Sequence, residues 1–194
     1  MVFGSSLYLF KEVKASLRRC LTFSRQKALF DLTVAFKNTL RLYSQLLKRR
    51  LPVKSGDQAV QLTDEQELAC AHIVNTCEYC LETVPRLHNQ IEDVIEGFEV
   101  DLQESATAPF RELINFAANA LVRSISFKTE AVYTAQMQKI NWLTFADVNE
   151  QKYMRDVFQI VKSKLAPIKE VLNPVYLNLV LNKLVSSLTS QYLA

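Results

Sequence analysis

Cys77 and Cys80 stand two residues apart, with Cys70 and His72 shortly before them. A Cys-x-x-Cys pair can hold half of a structural zinc site or run thiol–disulfide exchange. Zinc needs about four ligands around a tetrahedron, usually drawn from two such pairs. The sequence has no second pair, and Cys70 and His72 lie on the same helical stretch, unable to close around a metal. Cys77 also falls within the apolar stripe, where a thiol packs as a small hydrophobe. A redox pair would normally follow a strand, and no strand pattern precedes this one. The thiols therefore read as core.

The remaining candidates for chemistry weaken in the same way. Neither His72 nor His88 has a serine or cysteine arrangement that would make it a catalytic base, and both read as helix-edge residues. Glu92, Asp93 and Glu96 crowd one helical turn, which an acidic solvated face explains more simply than paired general acids. Three glycines in 194 residues leave no room for a phosphate-cradling loop. The residues thus point to no catalysis, no cofactor, no metal and no small-molecule substrate.

Charge is the next signal. Residues 1–54 hold twelve Lys/Arg against two acids, whereas residues 55–104 hold one Lys/Arg, Arg86, against twelve acids. Either the acidic segment packs beside the basic one, or the basic helices over 11–50 meet an anionic membrane surface or an acidic protein. Arg18, Arg19, Arg49 and Arg50 are the candidate contacts of that second reading. Nucleic acid is a poorer fit. Of the aromatics interleaved there (Phe23, Phe30, Phe36, Tyr43), Phe36 and Tyr43 belong to the buried stripe and are unavailable for base stacking.

The elements that must position these residues are helices. Hydrophobic residues make up 49% of the chain, enough for a core, and glycine is far below its usual level of about 7%. The first helix opens at Ser5 or Ser6 as cap and carries a stripe of Leu7, Phe10, Val13, Leu17 and Leu21. Residues 22–26 break it. The second carries Leu29, Leu32, Phe36, Leu40, Tyr43 and Leu47, ending at Lys48-Arg49-Arg50 before Pro52. Residues 53–62 read as a loop, and Thr63 with Gln66 as a capping box. The third helix carries Cys70, Ile73, Cys77, Leu81, Val84, Leu87 or His88, Ile91 and Val94, with Pro85 expected to kink or split it. The fourth begins near Asp101 or Thr107 and runs through Phe110, Leu113, Ala117, Leu121 and Ser124 to Phe127 or Met137. Residues 141–145, with Trp142, read as a connection. The fifth starts near Asp147 or Asn149, uses Tyr153, Val157, Ile160 and Leu165, and has its end perturbed by Pro167. Asn173-Pro174 caps a sixth, apolar on much of its circumference and so expected to be buried on several sides.

No window approaches a membrane span. The opening runs from apolar to basic, the reverse of a signal peptide. Four cysteines without a signal suit a reducing, cytosolic setting.

Residues 63–94, centred on Asn75-Thr76-Cys77-Glu78-Tyr79-Cys80, resemble a segment of the vacuolar protein sorting-associated protein 53 family, a subunit of the Golgi-associated retrograde protein tethering complex. Further matches are Trp142-Leu143-Thr144-Phe145 leading to Gln151-Lys152-Tyr153, then Leu172-Asn173-Pro174-Val175-Tyr176, and residues 181–188. The opening helix pair over 7–52 fits in order and spacing, so the resemblance is collinear over most of the chain. It implies an all-α fold of antiparallel helical bundles stacked into a rod. Residues 1–194 would be one rod segment from the interior of a longer chain, with possible sub-bundles at 1–100 and 101–194. It also implies a non-catalytic, cofactor-free role in retrograde endosome-to-trans-Golgi transport. Expected partners are the other tethering subunits, with SNARE proteins and peripheral membrane association. The expected location is the cytosolic face of trans-Golgi and endosomal membranes.

Overall fold

The computed structural model describes residues 2–52, 61–137 and 152–193. Those residues form six helices and no strand: α1 (Gly4–Leu21), α2 (Lys27–Arg50), α3 (Asp64–Glu92), α4 (Gln103–Met137), α5 (Lys152–Val171) and α6 (Pro174–Leu193). The all-α expectation holds. The expected loop over 53–60, the connection at Trp142 and the start of α5 near Asp147 or Asn149 lie outside the described residues.

The local signals acted largely as their chemistry demands. The Thr63 N–H donates to Gln66 Oε1 (2.9 Å) while Gln66 N–H returns to Thr63 Oγ1 (3.3 Å), a closed capping box. Asn173 Oδ1 accepts the Val175 N–H at 3.0 Å and caps α6 behind Pro174.

The first helix departs from expectation. Phe3, not a serine, holds the N-cap position, and Ser6 sits inside the helix with its hydroxyl donating to Phe3 O at 2.7 Å. The buried row is Ser6, Phe10, Val13, Leu17 and Cys20, so Leu7 stays half exposed. A hydroxyl satisfied by its own helix no longer needs water. The same device lets Thr33 and Ser44 into the buried row of α2, bonding Leu29 O (2.8 Å) and Arg41 O (2.7 Å).

One proline was less disruptive than expected. Pro85 does not split α3, because Val84, Leu87 and Ile91 are buried on both sides of it. Pro167 lies near the end of α5, which stops at Val171, four residues on, after which the Leu172 N–H bonds Ile168 O (2.8 Å). The last helix is corrected too. Val180 and Leu184 are deep, but Val175 is 67% and Val185 63% exposed. α4 and α5 cover only part of its circumference, through Ser126–Ser187 (2.8 Å), Lys183–Asn119 (2.7 Å) and the contact of Leu188 with Val157.

The chain divides into two compact units. One combines Met1–Leu51 with His72–Phe116, the other Pro52–Ala71 with Ala117–Ala194. In the first, α1 and α2 run antiparallel, with Ser5 Oγ 2.9 Å from Tyr43 Oη and the Arg50 guanidinium 5.5 Å from the centre of the Phe3 ring. α1 runs in the same direction as α3. Phe3 N–H donates to Thr76 Oγ1 (3.1 Å), Phe10 meets Tyr79 edge to face, and Arg25 O accepts the Glu96 N–H (2.9 Å). Gly97, at φ +75°, makes the turn after α3, and the next residue, Phe98, stacks on Phe30.

The second unit is organised around Glu67, which is 2% exposed. Its Oε1 accepts from Ser124 Oγ and Lys128 Nζ, both at 2.7 Å. Lys128 Nζ also donates to Leu62 O (3.1 Å), and Leu62 N–H donates to Ser124 Oγ (3.1 Å). Asp64, on the exposed rim, pairs with Lys164, whose hydrogen bond holds its carboxyl below the usual carboxylate range.

Lys128→Ala leaves the Glu67 carboxylate buried without its cation, and the expected loss is about 3 kcal/mol of stability. Replacing both partners, Glu67→Met with Lys128→Met, is expected to recover most of that loss. Urea midpoints of the three proteins check both statements; equal midpoints for Lys128→Ala and the parent would refute the pair's role.

Candidate functional site

The side chains that could have done chemistry are locked in packing. Cys70, Cys77 and Cys80 are free, fully buried thiols on α3. Burial pushes the Cys70 and Cys80 thiols up to about 12, and Cys77 is raised further in the same direction by burial and then by Cys80 beside it. A thiol so desolvated stays protonated and is a poor nucleophile and a poor metal ligand. No group of three or more His, Cys, Asp or Glu residues among the described residues could hold a metal ion.

His72 lies tilted against the Phe3 ring, 5.9 Å between centroids. His88 Nε2 is 3.5 Å from Glu92 Oε2 on the same helix, and its Nδ1 is buried without a hydrogen-bond partner. The structure brings neither histidine to a nucleophile. It does converge Glu67, Lys128 and Ser124, which sequence reading did not single out. The available signal was position: Glu67 precedes Cys70 by three residues, which places an acid in the apolar row of α3.

The exposed candidate is the α1–α2 hairpin. Arg18 and Arg19 occupy the last turn of α1, and Arg49 and Arg50 the last turn of α2, where cations favour the helix dipoles. Because the helices are antiparallel, the two arginine pairs sit at opposite ends of the hairpin, about 20 Å apart at a rise of 1.5 Å per residue. They do not form one patch. Arg50 lies over Phe3, and Arg19 donates to Ser16 Oγ at 3.2 Å.

Lys37 reaches Asp101 at 3.9 Å across exposed surface. Lys11, Lys14, Arg18, Arg25, Lys27, Arg41, Lys48 and Arg49 are within ion-pair reach of no described acid. Packing α3 beside the basic hairpin therefore leaves most of these cations to the solvent.

A groove between α2 and α4 is lined by Arg41, Ser44, Gln45, Lys48, Glu112 and Phe116. Ser44 is engaged by its own helix, and no convergent set of buried polar groups faces the groove.

Over its whole length the chain is 29% identical to vacuolar protein sorting-associated protein 53 A of Arabidopsis thaliana, across 206 aligned residues. It spans a quarter of that relative's length. No family model matches it, and no solved structure does.

The segment that carries the resemblance to the vacuolar protein sorting-associated protein 53 family now has a physical reading. In residues 75–80, Asn75, Thr76, Cys77 and Cys80 are buried, and Thr76 links two elements. Its hydroxyl donates to His72 O (2.7 Å) and accepts the Phe3 N–H. The motif packs helices together. Residues 172–176 span the α5–α6 junction and the start of α6, with Leu172 buried and Asn173 as the cap.

At pH 8 the three α3 thiols are expected to resist a thiol-specific disulfide reagent in the folded chain and to react fully in denaturant. Their raised values also set a sign. The neutral thiols stabilise the fold below about pH 8.5, and that contribution is lost as rising pH ionises the same groups in the unfolded chain. Denaturant midpoints should therefore fall as pH rises from about 8.5 toward about 12, and a flat profile together with rapid native labelling would contradict this.

Proposed function

We propose that this chain is a segment of a non-catalytic subunit of a multisubunit vesicle-tethering complex, acting in retrograde transport from endosomes to the trans-Golgi network. The observation that carries the reading is the similarity, over the whole of this chain, to a quarter of vacuolar protein sorting-associated protein 53 A. A tether segment needs length, stiffness and lateral surface for other subunits, and helices of 18 to 35 residues supply these.

On this reading residues 1–194 serve as one length of a helical rod, and the partners are the other subunits of the complex, with SNARE proteins beyond them. The place of work is the cytosolic face of trans-Golgi and endosomal membranes. No described helix is long and apolar enough to cross a membrane, which is compatible with peripheral attachment. The chain turns over no substrate and carries no cofactor.

Tagging the protein at its own locus and capturing it from detergent lysate should recover the other tethering-complex subunits in fixed proportion, as read by mass spectrometry. Recovery of none of them, with the bait abundant and folded, would sink the proposal.

A further inference from the structure

Six of the twelve exposed large apolar side chains among the described residues lie on the α1–α2 hairpin and its turn: Leu7, Tyr8, Phe23, Val34, Leu42 and Leu46. The same hairpin carries the chain's cationic excess, most of it unmatched by any described acid. Cation and apolar groups are also interleaved. On α1, Tyr8, Lys11, Ala15 and Arg18 recur at steps of three and four, on the side away from the buried row of Phe10, Val13 and Leu17. On α2, Leu42, Leu46 and Arg49 recur in the same way, away from Phe36, Leu40 and Leu47. The Ser5–Tyr43 contact places Tyr8 at the same end of the hairpin as Leu42 and Leu46. At the other end, exposed Phe23 stands among Arg18, Arg19, Arg25 and Lys27.

We propose that the outer face of the α1–α2 hairpin docks on an anionic phospholipid bilayer. The pairing of groups selects this occupant. Lipid phosphates and carboxylates take the lysines and arginines, while the interfacial zone beneath them takes the tips of Tyr8, Phe23, Leu42 and Leu46. Cations alone would suit any polyanion; cations sharing one outward face with exposed tyrosine and leucine suit a layered surface, charged outside and apolar within. The two arginine pairs then act as separate footholds at the two ends of the hairpin, which a flat, extended partner can engage together. The inference stands on charge and exposure, independently of complex membership.

The test is co-sedimentation of the full chain with vesicles of phosphatidylcholine alone or with roughly 30 mol% phosphatidylserine, at about 0.1 M and about 0.5 M salt. Binding is expected to the anionic vesicles only, and to weaken at the higher salt. Lys11→Glu with Arg18→Glu and Arg49→Glu should lower the partition coefficient at least about a hundredfold, since each cation near such a surface is worth roughly fivefold and reversal adds repulsion. Leu42→Ser with Leu46→Ser should lower it about tenfold while leaving the salt dependence in place. All five positions are exposed, and circular dichroism confirms that each variant keeps its helix content. Equal binding to neutral vesicles, unchanged binding after charge reversal, or no vesicle binding at all would overturn the proposal. Capture of polyglutamate without vesicle binding would overturn it as well.

Discussion

A carboxylate inside a helical bundle is tolerable only if its charge is matched where it sits. Glu67 meets that condition through a closed cycle: Lys128 and Ser124 bond the carboxylate, Lys128 bonds Leu62 O, and Leu62 N–H returns to Ser124. The cycle closes in one register of the start of α3 against the rear of α4. A slip of a single residue would leave a buried charge, a hydroxyl and two backbone groups unmatched at once. An apolar contact could be as strong there, but it would not discriminate between registers in that way. The α5 contact of Lys164 with Asp64, one turn from Glu67, builds on the arrangement the cycle selects.

The first unit is held by a different economy. Hydroxyls of Ser6, Thr33, Ser44 and Thr76 bond carbonyls three or four residues earlier in the chain, and this lets polar residues sit in buried rows with their hydroxyls satisfied. Phe3 is fixed three ways, by Thr76 behind its N–H, His72 beside its ring and Arg50 above it.

Much of this was legible in the sequence because it is local. Stripes at steps of three and four located all six helices, and Thr63-Gln66 and Asn173-Pro174 marked two starts through chemistry confined to a few residues. Failures came where hydroxyl partners or packing neighbours decide. Leu7 lost its place in the buried row to Ser6, whose hydroxyl found a partner one turn away. Pro85 did not split α3, where Val84, Leu87 and Ile91 are buried on both sides of it. α6 is apolar by composition, yet burial depends on how many helices surround it. The candidate arginines were legible as residues, but their separation was not, since it follows from the direction in which α2 returns along α1.

The layering of the first unit has an electrical consequence. The α1–α2 hairpin carries the cations, while α3 and the segment after it carry Glu82, Glu92, Asp93, Glu96, Glu99 and Asp101. Cations concentrated on one helix pair and acids on the next helix give the unit a dipole moment, distinct from the modest net charge of +3 for the whole chain. A uniform field exerts a torque on such a body, and the graded field near a charged surface also pulls it inward. Near an anionic surface the unit would be turned hairpin-first within about one Debye length, roughly 8 Å at physiological salt, before any side chain makes contact.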